Sequence, residues 1–440
     1  MSVRCFGWLR AATVVLIACK LDLANPNDPA AGDILTTREG IIRLAVGLQA
    51  RYGAGMDDFV YPGGLITDEF GATTGALQSY KDAEAGTLLN TYDAVETPWR
   101  THYQTIKTAN DLLANAPSLR PALGDSTLSG IVTISYLFKA MSLGELLQLY
   151  QELPINTYAD STPGFVNRTT ALTHVLALLD SALAQYRAIR PGSEFNTTIR
   201  AGIPAGGLNI SNTIFAMQAR YQRLAGDDAA AARAADSVSR SVLSFMPFSD
   251  QARDPIYDLS YSAVYVKPRD AWRLAVDSVN SADGRKAFHV AVAAITGNRS
   301  ALDQFAQFAA TTSPIPFYYP GEMLLIKAEA LTNLGDVPGA RAALDSVITK
   351  CGGALNEPKA CLTAPDDTLL DTPAELQAEI YRQRRFELFA TGLRWEDARR
   401  LNSVGASLIA KRCWLLYPRS EREPNPNTPP DPSDALTACF

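Results

Sequence analysis

Two stretches of the chain repeat one local pattern: a helix-compatible run ends in Gly-Asp and is followed closely by a second such run. The stretches are residues 219–238 and 328–347. Their glycines, Gly226 and Gly335, supply the left-handed backbone conformation that commonly ends a helix. Alanines beside the turns allow two helices to approach closely. The pattern therefore predicts paired helices as the unit from which the fold is built.

The repeated unit resembles the helix–turn–helix of tetratricopeptide proteins. Its two copies lie much further apart than one tandem step of about 34 residues, so we expect insertions between the helical units. Apolar residues at steps of three and four predict further helices over 129–150 and 170–186. Three Gly- and Pro-rich segments, 53–75, 190–210 and 247–270, are typical of loops or irregular structure.

The N-terminus has the parts of a secretory signal, with a basic start, a brief apolar run and the tetrapeptide Leu16-Ile17-Ala18-Cys19. The apolar run is too short to span a bilayer, which needs about 20 apolar residues. The cysteine at the break resembles a bacterial lipobox. We therefore predict that residues 1–18 are removed and that Cys19 carries acyl chains, several of which together anchor a protein stably. An ordinary signal peptide with an incidental cysteine is the alternative.

Net charge narrows the classes of partner. The 440 residues carry a formal net charge of −6, which loss of Arg4 and Arg10 with the signal lowers to −8. A mildly acidic protein repels phosphate backbones, so we expect no nucleic-acid partner. We also expect no second apolar run long enough to cross a membrane, which predicts a water-soluble body on a lipid tether.

Four cysteines remain after the signal and the lipid-bearing residue are set aside. They are Cys351, Cys361, Cys413 and Cys439. An even number in an exported chain predicts disulfides, for which three connectivities are possible. Pairing of sequence neighbours would close the loop 352–360 and pin the Pro-rich tail. A zinc site is a weaker alternative, because there is no C-x-x-C and no histidine lies near these cysteines.

Residues for catalysis are scarce. The sequence contains no G-x-S-x-G, H-E-x-x-H or P-loop pattern. The acidic pairs Asp57-Asp58 and Asp68-Glu69 have the residue type that a glycosidase or a calcium site requires. Adjacent acids in an irregular loop are more often solvated or turn-forming. We therefore predict a protein without catalytic residues, metal or cofactor.

Aromatic side chains in the Gly- and Pro-rich segments are the candidates for ligand binding. Sugar rings present C–H faces that stack on aromatic rings. The segment with Tyr261, Tyr265 and Trp272 forms one predicted wall of a site, and Tyr61 with Tyr80 forms a second. Core packing is the alternative for these tyrosines.

An ordered series of motifs resembles the SusD/RagB family of nutrient-binding outer-membrane lipoproteins. Upstream, the series consists of Asn25-Pro26-Asn27, Asp68-Glu69, Trp99-x-x-x-Tyr103-x-x-Ile106-x-x-Ala109-Asn110 and Leu149-Tyr150 before Leu153-Pro154. Downstream, it consists of Ala328-Glu329-Ala330-Leu331, Gly335-Asp336, the run from Glu379 to Leu388, the run from Gly392 to Arg400, Leu416-Tyr417-Pro418-Arg419 and Asn425-Pro426-Asn427. Gln383, Thr391 and Leu393 depart from the family pattern.

The resemblance implies a mostly α fold with tetratricopeptide-like helix pairs and an irregular ligand-binding lobe. It implies a non-catalytic protein on the outer membrane that passes an oligosaccharide or peptide to a SusC-like, TonB-dependent transporter. We interpret Arg384, Glu387, Arg394 and Asp397 as a structural ion-pair cluster, in which Glu387 and Arg394 share a helix face if the helix continues through Gly392. A tetratricopeptide-type scaffold lipoprotein for envelope assembly is the alternative function, and a glycan-degrading enzyme is a third.

We predict one SusD-like domain after the signal. Its expected parts are the following: signal 1–18; domain 19–440; helices near 95–150, 170–241 and 321–349; irregular insertions near 53–92 and 247–320; family region 375–427.

Overall fold

The structure is a computed structural model that describes residues 31–158, 161–200, 207–269, 282–291, 304–365, 370–400 and 411–432. Cys19, Trp272 and Cys439 lie outside these ranges, so the expectations placed on them stay predictions. The described chain is mostly helical with a few short strands, which confirms the predicted fold class.

The α-helices of the described ranges are α1 (Ala31–Thr36), α2 (Arg38–Ala54), α3 (Met56–Ile66), α4 (Gln78–Ala85), α5 (Asp93–Asn115), α6 (Arg120–Leu123), α7 (Asp125–Leu149), α8 (Arg168–Ala188), α9 (Ile210–Ala225), α10 (Asp228–Asp236), α11 (Pro255–Tyr257), α12 (Arg285–His289), α13 (Pro320–Asn333), α14 (Val337–Ile348), α15 (Pro373–Glu387), α16 (Arg394–Arg400) and α17 (Arg419–Arg422). A 3₁₀ turn covers Ala116–Leu119, and π-helical turns cover Phe195–Ile199 and Asp258–Ser262. The strands are β1 (Phe70–Ala72), β2 (Leu153–Pro154), β3 (Phe165–Val166), β4 (Phe245–Met246), β5 (Val266–Pro268), β6 (Val290–Ala291), β7 (Gln304–Phe305) and β8 (Ile315–Pro316).

The long helices pack in series. α2 packs on α5, α5 on α7, α7 on α8 and α8 on α9. α7 and α8 contain the two predicted helical stretches, 129–150 and 170–186, to within one residue. The side chains of α7 at positions 131, 134, 137, 138 and 141 are all buried, because this helix lies at the centre of the array. Burial of these apolar side chains is the main stabilising contribution to the scaffold.

The repeated helix–Gly-Asp–helix units form as the sequence predicts. Gly226 and Gly335 have φ of 81° and 82° and end α9 and α13. The next residue caps the following helix: Asp227 accepts a hydrogen bond from the backbone N–H of Ala230, and Asp336 accepts one from Gly339. α10 packs directly on α13. The two units are therefore neighbours in space although an insertion separates them in sequence.

Contrary to the expectation from the sequence, one helix of the described residues, α7, is long and apolar enough to cross a membrane by length and composition. Its most apolar window is 83% buried inside the protein. Together with its contacts to α5 and α8, this burial shows that α7 is a core helix.

The prediction of irregular structure over 53–75 is wrong in part, because α3 occupies Met56–Ile66. Its Gly63-Gly64 pair serves close packing. A Cβ on Gly64 would lie 2.3 Å from the ring of Phe70, and one on Gly63 would lie 3.3 Å from the carbonyl oxygen of Gly392. Composition predicted a loop, whereas the glycines let a buried helix approach its neighbours.

Short antiparallel pairs join the insertions to each other. β1 pairs with β5 in the register Phe70↔Pro268, Gly71↔Lys267 and Ala72↔Val266. β4 pairs with β8, and β6 with β7. The β1–β5 pair places the segment after α3 beside the segment before residue 270. Two insertions that are distant in sequence thereby form one lobe.

Candidate ligand-binding site

A cavity of about 580 Å³ opens between the helical scaffold and the lobe. This volume falls within the range of about 300–1,000 Å³ that is common for small-molecule sites. The scaffold side is lined by residues of α2, α3, α4 and α5, and the lobe side by residues 246–265. The lining residues are Ala50, Gly53, Ala54, Asp57, Asp58, Tyr80, Thr97, Thr101, Met246, Pro247, Phe248, Ala252, Arg253, Pro255, Asp258, Leu259, Ala263 and Tyr265.

Tyr80 and Tyr265 form an aromatic wall of this cavity. Their ring centroids are 5.2 Å apart, and the two half-buried rings come from the two segments that sequence analysis proposed as walls. The structure therefore brings these two predicted residues together.

Tyr61 and Tyr261 do not line the cavity. Tyr61 lies behind Tyr80 at a centroid distance of 5.4 Å and is only 4% exposed, because it belongs to the buried face of α3. Tyr261 stacks on Tyr257 and donates its hydroxyl hydrogen to the carbonyl oxygen of Phe305. Tyr61 thus supports the wall from behind, and Tyr261 ties down the lobe.

The backbone around Tyr265 is held from both sides. The Tyr265 N–H donates to the carbonyl oxygen of Leu259 at 3.0 Å, and its own carbonyl accepts from the Thr73 N–H at 2.9 Å. The Thr73 hydroxyl donates to the Val264 carbonyl at 2.6 Å. Val264 has a φ of 56°, which is unfavourable for a β-branched residue. The surrounding hydrogen bonds maintain this backbone conformation, which presents the Tyr265 ring to the cavity.

Two adjacent carboxyl groups lie on the scaffold side of the cavity. Asp58 is 5% exposed and Asp57 is half-buried. Burial raises the pKa of Asp58 to about 7. Burial, and after it the charge of Asp58, raises the pKa of Asp57 well above its ordinary range. Sequence analysis considered this pair for catalysis or calcium, and the structure places both residues in the wall of the cavity.

The other acidic pair is bound elsewhere. Asp68 forms an ion pair with Lys411 at 2.6 Å and lies 3.5 Å from Arg269. Glu69 is buried near Arg394, and burial raises its pKa to about 7. Within the described part of the chain, no group of three or more His, Cys, Asp or Glu side chains is arranged to hold a metal ion.

Threonines and apolar side chains complete the cavity, and sequence analysis missed them. Thr97 and Thr101 are four residues apart on α5 and so lie on one helix face. Met246 and Phe248 come from β4 and the segment after it. In the sequence, only the helical spacing of the two threonines could have indicated these lining residues. No local sequence pattern marks Met246 or Phe248.

The predicted ion-pair cluster exists only in part. Arg384 donates to Asp397 at 2.7 Å, and both side chains are buried. Glu387 and Arg394 do not share a helix face, because α15 ends at Glu387 and Gly392, with a φ of 81°, turns the chain before α16. Glycine in a left-handed conformation terminates the helix where continuation was assumed.

Glu387 and Arg394 have different partners. Glu387 accepts from Lys350 and lies 3.7 Å from Arg285. The Arg394 guanidinium lies over the ring of Tyr381 at 4.6 Å. All these contacts are within the protein, on a different set of residues from those that line the cavity, which fits a structural role for the four residues of the predicted cluster.

Cys351 and Cys361 form a disulfide that closes the loop 352–360. This pair is the one that sequence neighbours would form. Cys413 is buried and is also disulfide-bonded.

The fold is helical, and insertions between its helices form a cavity. Residues 294–417 match the family model described as the SusD family. No curated protein matches the chain. Among solved structures, a SusD superfamily protein from Bacteroides thetaiotaomicron VPI-5482 is 16% identical with a TM-score of 0.68, covering 89% of this chain and 99% of its own.

Two further structures are similar over the same extent. A SusD superfamily protein from Bacteroides fragilis is 16% identical with a TM-score of 0.69, covering 90% of this chain and 99% of its own. NanU of B. fragilis is 14% identical with a TM-score of 0.68, covering 92% and 99%. The family-model match over residues 294–417 and the fold shared with these structures confirm the resemblance to the SusD/RagB family that the sequence shows.

Proposed function

We propose that this protein is a cell-surface lipoprotein that binds an oligomeric nutrient, an oligosaccharide or a peptide, and delivers it to a TonB-dependent outer-membrane transporter without chemical change. The observation that carries the proposal is the cavity between scaffold and lobe, with Tyr80 and Tyr265 in its wall. Flat aromatic faces suit sugar rings and other apolar surfaces, and a few polar groups then fix orientation.

The cavity favours ligand binding over a scaffold role. A scaffold would present a continuous concave face of tandem helix pairs. Here an insertion separates the two helix–turn–helix units in sequence, and residues 246–265 of that insertion form one side of a cavity. The insertion thus contributes to a cavity, which a scaffold of tandem helix pairs would not need.

Alanine in place of Tyr80 or Tyr265 should weaken ligand binding about tenfold or more, because each change removes an aromatic face from the wall. Both rings are half-buried, so the variants should fold. Calorimetric titration with a panel of oligosaccharides and short peptides measures the effect on whichever probe binds the wild type.

Tyr257→Ala is the matched control. Tyr257 lies on the same lobe and stacks on Tyr261 at 5.2 Å, but it is not among the residues that line the cavity. Its loss should leave affinity unchanged. Equal affinity of the wild type and the Tyr80 and Tyr265 variants would remove this cavity as the binding site.

Anchoring and delivery have a separate test. We expect a fatty-acid probe to label the protein in cells, and Cys19→Ala to abolish both labelling and retention in the outer membrane. We expect a TonB-dependent barrel to co-purify with the wild type in mild detergent. An unlabelled wild-type protein would contradict the lipid anchor, and a labelled protein with no barrel partner would contradict delivery.

A further inference from the structure

The charged groups in the cavity wall are unbalanced. Asp57, Asp58 and Asp258 are its acidic residues, and Arg253 is its one basic residue among those described. Arg253 forms an ion pair with Asp258 at a distance of 3.4 Å. In the described ranges, no lysine or arginine forms an ion pair with Asp57 or Asp58. Burial raises the pKa of Asp58, and a hydrogen bond with Thr101 and the charge of Arg100 act to lower it, but neither of these two carboxyl groups forms an ion pair with a described cation.

A third carboxyl lies directly behind the wall. Asp254, between the lining residues Arg253 and Pro255, is fully buried. Its Oδ1 accepts from the Ile256 N–H at 2.8 Å, whereas its Oδ2 has no hydrogen-bond partner within the described structure. Burial raises the pKa of Asp254 to about 8, and its charge, when ionised, further raises the pKa of Asp57. Burying acidic groups without partners is unfavourable, and a cation that entered the cavity would relieve this cost.

The aromatic wall favours the same kind of ligand. The faces of tyrosine rings carry negative electrostatic potential and attract cations held within about 6 Å of the ring centroid. Tyr80 and Tyr265 provide two such faces in one cavity with Asp57 and Asp58. Carboxyl groups and aromatic faces together recognise ammonium groups, and they disfavour uronates and other anions.

The wall is better suited to a glycan than to an extended peptide. A bound strand needs free backbone N–H groups at the site. The N–H groups of Ala252, Ala263 and Tyr265 already donate to carbonyl oxygens of Ser249, Asp258 and Leu259. The wall instead offers the Thr97 hydroxyl and the carboxyl pair, which can hydrogen-bond sugar hydroxyls. The Thr101 side chain is hydrogen-bonded to Asp58.

We infer that the ligand is an oligosaccharide with free, protonated amino groups, held by Asp57 and Asp58 under the ring faces of Tyr80 and Tyr265. This inference rests on the proposed binding function and specifies the chemical class that the cavity selects. Recognition needs no metal or cofactor, because the carboxyl groups contact the ammonium group directly.

The test compares three tetrasaccharides that differ in charge: a glucosamine oligomer, its N-acetylated counterpart and a galacturonate oligomer. Each is titrated calorimetrically into the full chain in detergent, at a pH where the sugar amine is protonated. The amino oligomer should bind at least about tenfold more tightly than the N-acetylated one, since a desolvated charge pair commonly contributes that much. The galacturonate oligomer should bind most weakly.

Asp57→Asn and Asp58→Asn should bring the ratio of amino to N-acetylated affinity close to one. Asp250→Asn is the matched control, since Asp250 is an exposed acid of the neighbouring segment that bonds to Thr311 and does not line the cavity. It should leave the ratio unchanged. Thermal melting of each variant separates a lost preference from a lost fold.

Several outcomes would overturn the inference: equal or tighter binding of the N-acetylated or galacturonate oligomer, a preference that survives both asparagine variants, or binding of a lysine-rich peptide alone. Binding of a neutral oligomer that depends on Tyr80 and Tyr265 would refute amine selection and leave the proposed function standing. Failure of every oligosaccharide and peptide to bind would refute both.

Discussion

Glu329→Gln should lower the free energy of unfolding by about 3–5 kcal/mol, the usual effect of removing one partner from a buried ion pair. Glu329 lies in α13 and is 1% exposed. Arg400 donates to both of its carboxylate oxygens, and Arg223 donates to one of them. Burial acts to raise the pKa of Glu329, but the charges of Arg400 and Arg223 prevail and hold it well below its ordinary value.

The size of this effect follows from what the glutamine leaves behind. Two largely buried guanidinium groups would face a neutral amide that can accept but cannot neutralise them. Their remaining carboxylate partners are Asp228, 3.5 Å from Arg223, and Asp397, 2.7 Å from Arg400. The carboxylate also joins three parts of the scaffold, because Arg223 lies in α9 and Arg400 in α16. Urea unfolding monitored by circular dichroism measures the change.

Glu423→Gln is the control for charge removal in general. Glu423 pairs with Arg419 at 2.6 Å, but its side chain is 62% exposed. Solvent screening limits such a pair to less than about 0.5 kcal/mol. A loss from Glu329→Gln no larger than the loss from Glu423→Gln would show that the buried network does not stabilise the fold.

Gly144→Ala should also destabilise the protein, by about 1–3 kcal/mol or more. Gly144 lies in the buried helix α7, where an added Cβ would lie 2.1 Å from the Tyr221 ring. Tyr221 is fully buried in α9. Relieving this overlap requires the ring to shift within the core or α7 and α9 to separate. Thermal and urea unfolding should both register the loss.

Gly47→Ala is the same substitution with the opposite expected sign. Gly47 is in the interior of α2, and no atom lies within 4 Å of a Cβ placed there. Alanine has the higher helix propensity and a smaller loss of backbone entropy on folding, which should raise stability by about 0.5–1 kcal/mol. Similar effects at Gly47 and Gly144 would show that the α7–α9 packing does not govern the Gly144 site.

Local signals were the reliable part of the prediction. Gly226-Asp227 and Gly335-Asp336 mark a helix end and a helix cap within two residues, so neighbouring atoms alone determine the structure. The apolar spacing over 129–150 likewise identified α7, because only a helix brings such residues to one face. Reasoning from neighbouring residues alone failed at Gly63-Gly64. There the glycines allow close packing against Phe70 and Gly392 from elsewhere in the chain.

For the candidate site as well, residue type predicted the candidates, and the fold decided which of them line the cavity. Tyr80 and Tyr265 could be selected from their residue type and Gly- and Pro-rich surroundings, but so could Tyr61 and Tyr261, which the fold places outside the cavity. Which tyrosines reach the cavity depends on the β1–β5 register and on the hydrogen bonds of Thr73. These contacts join residues nearly two hundred positions apart in sequence.

Short-range chemistry along the chain was therefore enough to establish a mostly helical structure, its helix pairs and its caps, because each rests on interactions within a few residues. The cavity, the acidic pair in its wall and the partners of Glu387 and Arg394 arise from packing between distant segments. A carboxyl group has the same intrinsic chemistry wherever it lies in the sequence, and its role is set by the charges and solvent that the folded chain places around it.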